Sequence, residues 1–345
     1  MAPMEIKRTL PLGRVTLRTI FTFFALVGAI VLSTRTRFLA ATIHSPTNGP
    51  LVIEEASPGT SGRASLYSVG VDAPTHLLGT ASYGNGYFIS GAPSPRGRFI
   101  ALAEQLGGLW IVNANGSSPY QFVGGDPHHG VAVDVTAVAW SPDRYTIAYM
   151  RDTRNMGCGC GAPTVDTMTG DGLWTVRYDG TKKPQLIMSA TTMGVGGPFG
   201  LLSWTPDGTA VYANTPRGLE EIAIPSGSRR LIVPRVAGVV SPDGTSLVVI
   251  SRPTRYDPHF VSTLSVRNIA TGSTTILART TMPLGQPRWS PDGRFLAYTK
   301  ELPGNFPNNP VEVHVINVSS RAISTVYRQP HSYPIGIVAW LPSAQ

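Results

Sequence analysis

The chain has 345 residues with 37 Gly and 30 Pro, and it carries a formal net charge of +8. Six Lys/Arg and a single acid fall within residues 1–41, leaving 22 cations against 19 acids for the rest. Most of the imbalance is therefore a membrane-orientation signal, which excludes a nucleic-acid partner. No long amphipathic helix is visible in the remainder, which excludes a helical bundle.

In chain order, residues 1–18 form a short basic tail containing Lys7, Arg8, Arg14 and Arg18. An uncharged run, Thr19–Thr34, follows, and then Arg35, Arg37 and Phe38-Leu39-Ala40-Ala41. Sixteen helical residues span about 24 Å, short of a hydrocarbon core of roughly 30 Å, and snorkelling arginines at both ends can make up the difference. No small-x-small cleavage site follows the run directly. The expectation is an uncleaved signal anchor over 19–41, crossing once as a transmembrane helix. The larger positive cluster precedes it, which sets the N-terminus inside and the rest of the chain outside the cytoplasm. A cleaved signal peptide, giving a secreted protein, and a buried soluble helix are the alternatives. Residues 42–50 read as a linker.

From residue 51 onward the chain repeats itself. The copies are GAPSPRGRFIALAEQ (91–105), VAWSPDRYTIAYMRD (138–152), LSWTPDGTAVYANT (202–215), GVVSPDGTSLVVIS (238–251) and RWSPDGRFLAYTK (288–300). A truncated IVAWLPSAQ (337–345) ends the chain. Their prolines recur at intervals of roughly 35 to 65 residues, the length of a four-stranded blade with its loops. Within a copy, Pro presets φ, Asp bonds nearby backbone and Gly supplies positive φ, which makes a tight turn between two strands. Period-two alternation marks the second strand, as in Phe295–Lys300. Third and fourth strands follow, for example Val311–Asn317 and Ala322–Tyr327.

Five copies are complete and the sixth supplies one strand. Its missing partners read as Leu51–Glu55, Ala64–Val69 and Thr75–Leu78 near the start of the repeat region. A blade shared between the termini removes two exposed sheet edges. The expected fold is an all-β, six-bladed β-propeller over 51–345, closed by that shared blade; an open pair of packed sheets is the alternative.

The W-[ST]-P-D-G-x-x-[LIV]-[AV]-[YV] phrase resembles the repeat of TolB-like six-bladed β-propellers, shared with the propeller domain of prolyl-oligopeptidase-type peptidases. Departures are Arg96 in place of Asp, Arg144 in place of Gly, and the absence of Trp from the first and fourth copies. These are expected to loosen turns without changing the architecture. The resemblance implies a non-enzymatic module that binds a protein or cell-envelope component. Six-bladed rings also house catalytic sites around a bound cation, so a divalent cation in the central channel remains a candidate cofactor; none is called for by residue spacing.

Propeller geometry sends the long segments to one end: Gly124–Asp134, Arg151–Gly172, Ser189–Gly200, Ser251–Val261 and Lys300–Pro310. Loops on a rigid frame are where binding residues usually lie. Candidate ligand-binding residues there are Arg151, Arg154, Arg252, Arg255, Tyr256 and His259, whose planar donors and aromatic ring suit a carboxylate or glycan. His128 and His129 are further candidates, although a solvated turn explains them as well. Cys158 and Cys160 are a candidate disulfide, strained by the small C-x-C ring, with free thiols as the alternative. Two thiolates fall short of a tetrahedral metal site, and adjacent histidines in a strand point apart.

The leading expectation is a membrane-anchored, extracytoplasmic, non-enzymatic binding module acting through its long-loop face. A lactonase, lyase or glycan hydrolase with a channel site is the second reading. No G-x-S-x-G motif or catalytic cluster supports it. The ectodomain of a membrane sensory complex is the third.

Overall fold

A computed structural model describes residues 48–56, 64–70, 76–81, 88–104, 107–124, 131–155, 171–193, 202–251, 261–304, 309–329 and 335–343. The basic tail and apolar run of residues 1–41 lie outside this set. No described helix is long and apolar enough to cross a membrane.

The strands come four to a sheet. The first three are β1 (Asn48–Ala56), β2 (Ala64–Val69) and β3 (His76–Ala81). Blade 1 follows as β4 (Phe88–Pro93), β5 (Phe99–Glu104), β6 (Gly108–Asn113) and β7 (Tyr120–Val123). Blade 2 comprises β8 (Val131–Trp140), β9 (Thr146–Asn155), β10 (Gly172–Arg177) and β11 (Gln185–Ser189), capped by the short helix α1 (Ala190–Met193). Blade 3 is β12 (Leu202–Trp204), β13 (Ala210–Thr215), β14 (Gly218–Ala223) and β15 (Arg229–Pro234). Blade 4 is β16 (Val239–Val240), β17 (Ser246–Ser251), β18 (Ser262–Asn268) and β19 (Thr274–Thr280). Blade 5 is β20 (Leu284–Trp289), β21 (Phe295–Glu301), β22 (Val311–Asn317) and β23 (Ile323–Arg328). The last strand, β24 (Ile335–Pro342), joins the first three in the order β24-β1-β2-β3 to make blade 6.

This shared blade is the one expected from the truncated copy. Leu51 lies opposite Trp340 and Val52 opposite Ala339 in an antiparallel ladder. The first strands of successive blades touch from β4 through β8, β12, β16, β20 and β24, and β24 returns to β4. The protein is a closed six-bladed β-propeller. β1 begins at Asn48, inside the segment that composition assigned to the linker.

A four-stranded sheet is too thin to bury its own faces, so the core lies between blades. Six clusters fill the six interfaces. The largest joins blades 1 and 2 through Ala101, Ile111, Val138 and Tyr149. The closing seams are as dry as the others: Val52, Ile100, Val338 and Ala339 pack between blades 6 and 1, and Leu51, Ile53, Val315 and Trp340 between blades 5 and 6.

The repeated phrase is explained atom by atom. The Ser or Thr hydroxyl donates to the Asp carboxylate two residues on, at 2.7 Å for Ser290 and Asp292 and 2.6 Å for Thr205 and Asp207. The same oxygen accepts the N–H that opens the second strand, from Phe295 at 2.9 Å and from Ala210 at 3.0 Å. The Trp indole N–H then reaches the preceding blade, Trp204 donating to the Ala139 carbonyl and Trp289 to the Val239 carbonyl. Trp340 donates to the Gly49 carbonyl inside the shared blade at 2.9 Å. Glycine closes the turn in the left-handed region, and a Cβ at Gly244 would lie 3.3 Å from Pro206 of the blade before.

The departures do not loosen these turns. Gly97 N–H still donates to the Ser94 carbonyl at 2.8 Å and Arg144 N–H to the Ser141 carbonyl at 3.0 Å, as Gly208 does to Thr205 at 2.9 Å. Arg144 takes φ 73°, the value its glycine counterparts take. The backbone is held by the hydrogen bonds, and the side chain tolerates the strain.

Candidate functional site

The two ends of the ring are built differently. At one end the first and second strands of blades 1 to 5 are joined by five residues every time. The opposite end carries the connections of variable length: sixteen residues between β9 and β10, ten between β17 and β18, nine between β21 and β22, and seven between β7 and β8. Blades 1 and 3 are the exceptions there, with three residues between β5 and β6 and two between β13 and β14. These are called below the short-turn end and the long-loop end.

Of the candidate residues, Arg151 and Arg154 lie on β9 near its long-loop terminus, opposite Val135 and Ala132 of β8. Arg151 also faces Gly172 of β10. Its guanidinium carbon sits 5.5 Å from the centre of the Trp174 ring, a cation–π contact on the neighbouring strand. Its buried Nε makes no hydrogen bond among the described residues. His128, His129, Cys158, Cys160, Arg252, Arg255, Tyr256 and His259 lie outside the described residues. The strands flanking them all open toward the long-loop end.

The structure adds two features that the sequence reading missed. The first is a set of buried carboxylates toward the long-loop ends of strands: Glu54, Glu104, Asp134, Asp171 and Glu312. The first four are all engaged by neighbours. Glu312 accepts from Arg328 Nε at 2.6 Å and meets His314 Nε2 at 2.9 Å. Burial pushes the Glu312 carboxyl up, but these partners outweigh it and hold it below the ordinary value. Glu55, beside Glu54, accepts from the Tyr327 hydroxyl at 2.8 Å. Burial and this carboxylate together push the Tyr327 phenol well up. A signal for these acids existed in the repeat: the second strand ends in Glu in blades 1, 5 and 6, at Glu104, Glu301 and Glu55, with Ala56 following the last.

The second feature is Arg288. It stands on β20, one of the strands that form the inner ring. Its Nε donates to the Ile337 carbonyl of β24 at 3.3 Å, and one terminal nitrogen donates to Ser90 Oγ of β4 at 3.3 Å. One side chain therefore spans three consecutive inner strands on the channel side. The guanidinium is only partly withdrawn from solvent, yet the protein crowded around it lowers its pKa to about 10. Burial is the sole cause, and no acid offsets it. Three of its five N–H donors remain unused among the described residues. The other copies place Ala92, Ala139, Ser203, Val239 and Ala339 at this position, so a lone arginine before the tryptophan was legible in the alignment.

This arrangement can hold an anionic group at the axis. Among the described residues no group of three or more His, Cys, Asp or Glu is placed to hold a metal ion.

No protein-family model matches the chain, and no curated protein matches it. Solved structures do. TolB from Acinetobacter baumannii superposes with a TM-score of 0.59 at 16% identity, over 86% of this chain and 67% of that one. A protein assigned as TolB from Agrobacterium tumefaciens gives 0.56 at 14% identity, over 86% and 96%. The fold is that of a TolB-like propeller. At these identities the likeness is one of architecture, in agreement with the resemblance carried by the repeated phrase.

Proposed function

We propose that this TolB-like propeller is a membrane-tethered, extracytoplasmic binding module that presents its long-loop end to a protein or cell-envelope component. The observation that carries the reading is the division of labour between the ends. Five turns of equal length stand at one end, while every connection of nine residues or more opens at the other, where a rigid frame can display variable residues. Arg288 stands near the short-turn end of β20, but its guanidinium reaches Ile337 and Ser90 in the long-loop halves of β24 and β4, so it adds a cation inside the channel that this surface surrounds. A partly buried cation with no acid beside it is costly until an anion arrives, so a carboxylate on the partner is the group it would take. Arg151 over Trp174 offers a second cation on the same side of blade 2. The tether is the apolar run between Arg18 and Arg35.

Site-specific photo-crosslinking in the native envelope tests this. A crosslinking residue at Arg151 or at the exposed Val261 is expected to give discrete adducts, and one at Ser226 in a blade 3 turn none. Adducts from Ser226 alone, or from no position, would refute the surface assignment. Resistance of the full chain to carbonate extraction tests the tether separately. Metal-dependent turnover of lactones or polysaccharides by the purified protein would replace this reading with that of a channel enzyme.

A further inference from the structure

We infer that the short-turn end of blades 1 and 2 is a docking surface for an anionic phospholipid bilayer. The inference rests on the extracytoplasmic, tethered reading above for its orientation, and on the following chemistry for its substance. Across the turns of these two blades stand Arg96, Arg98, Arg144, Arg177, Lys182 and Lys183, with only Asp143 and Asp179 against them. The corresponding turns of blades 3 to 5 hold Arg294 and Arg321, with Arg229 beginning β15 and paired to Glu220, against Asp207, Asp243 and Asp292. The positive charge is thus concentrated on one side of this end.

Both acids in the patch are engaged within their own turns. Asp143 Oδ1 accepts from the backbone N–H of Tyr145 and Thr146 at 2.8 and 2.9 Å, and its Oδ2 accepts from the Thr146 hydroxyl at 2.7 Å. Asp179 accepts from Arg177 at 2.6 Å and from Thr181 at 2.7 Å. Arg96, Arg98, Arg144, Lys182 and Lys183 are exposed and have no ion-pair partner among the described residues. In the other turns a Cβ at the glycine position would face the proline of the preceding blade, 3.2 Å away for Gly97 and Pro342. Arg144 holds that position in blade 2 and is exposed.

An aromatic platform lies among the cations. Tyr145 stacks on Tyr178 with ring centres 6.0 Å apart and planes 13° from parallel. The Arg177 guanidinium lies 4.9 Å over the Tyr145 ring. Tyr178 continues inward to Trp140 at 5.4 Å and Phe99 at 5.8 Å. Most of the exposed large hydrophobics are explained by the fold, because Leu77, Tyr120, Leu186, Leu231, Ile276 and Ile323 sit one on each outermost strand. Of the other two among the described residues, Val261 precedes β18 at the long-loop end, and Tyr145, 45% exposed, stands in a short turn. A tyrosine with an apolar body and a polar tip among unpaired cations suits the headgroup layer.

The first residue of β1 lies at the same end. Asn48 Oδ1 accepts the backbone N–H of Asp292 in the blade 5 turn.

The test uses the propeller unit, residues 46–345, which contains every described strand and all six cores, and cosedimentation with vesicles. Binding is expected to vesicles of phosphatidylcholine containing about 30 mol % phosphatidylglycerol, with release at high ionic strength, and not to phosphatidylcholine alone. Replacing Arg96, Arg98, Lys182 and Lys183 together by Ser is expected to lower partitioning by about a hundredfold or more, and Tyr145→Ser several-fold, with unchanged melting in both. Equal binding to neutral vesicles, no binding to either, indifference to the fourfold substitution, or tighter binding to a sulfated polysaccharide than to the anionic vesicles would each overturn the inference. Carbonate extraction of the full chain reports separately on the tether: its failure with vesicle binding intact would remove the tether and leave the docking surface standing.

Discussion

The short-turn and long-loop ends of the ring are made from the same strands, yet they obey different rules. At the short-turn end a hydroxyl, a carboxylate and, in some blades, an indole recur, and their hydrogen bonds close within the turn or onto the preceding blade. At the long-loop end the connections have no common length, and the buried groups are acids whose partners differ from blade to blade. A surface built by a repeating rule is specified by stability. A surface without one is free to be specified by what it binds. Substitutions of the repeated turn residues should therefore unfold the protein, and substitutions at the second should silence it.

The sharpest break falls on the shared blade. Trp340→Ala removes a buried indole and its hydrogen bond to Gly49, at an expected cost of about 3–5 kcal/mol. Denaturant melts would show it, and a loss under about 1 kcal/mol would mean that the ring does not depend on its seam. Ser290→Ala leaves the Phe295 N–H without its 2.9 Å acceptor and takes a donor from Asp292. The expected loss is about 1–3 kcal/mol, with crosslinking from Arg151 unchanged in the folded fraction. Arg288→Met should do the opposite. Removing an uncompensated cation leaves stability unchanged or raises it by up to about 1 kcal/mol, while adducts at the long-loop end fall about tenfold. If Arg288→Met instead melts early with adducts intact, the arginine is a structural stitch.

Acid should weaken the short-turn end. Burial raises the Asp243 and Asp292 carboxyls, but hydrogen bonds from Ser241 and Thr245, and from Ser290, Arg294 and Asn48, outweigh it and set both below the ordinary value. Carboxylates lowered by folding contribute stability that is complete above the unfolded value of about 3.9 and is lost as pH falls through the folded values. The melting temperature should thus hold steady down to about pH 5 and drop below pH 4. Asp292→Asn should flatten part of that drop, and an unchanged acid profile would show that these turns do not govern it.

The fold was largely legible because its rule is local. Proline spacing, alternation after the turn and a half-copy at the C-terminus were enough to join Trp340 to Leu51 across almost the whole chain. The site was less legible because its contacts are not local. Arg288 draws its meaning from Ser90, 198 positions away in sequence, and Glu55 from Tyr327, 272 away; nothing in either neighbourhood marks the other partner. The departures in the repeat were visible, but their consequence was misjudged. Taken as blemishes in a turn, Arg96 and Arg144 leave the backbone hydrogen bonds intact and change only what the turn shows to solvent.

The smallest effect separates those two accounts of Arg144. Four other turns place glycine here at φ between 66° and 76°, and Arg144 adopts 73° with a side chain attached. The left-handed conformation costs a non-glycine residue about 1–2 kcal/mol, partly offset because glycine loses more freedom on folding. Arg144→Gly should therefore stabilise the propeller by about 0.5–1 kcal/mol. It should also weaken binding to anionic vesicles by roughly fivefold, the worth of one cation near a charged surface. A substitution that improves the fold and harms the surface is what a residue kept for its charge would give. Stabilisation with no change in vesicle binding would leave Arg144 an ordinary tolerated strain and shrink the docking surface to its remaining cations.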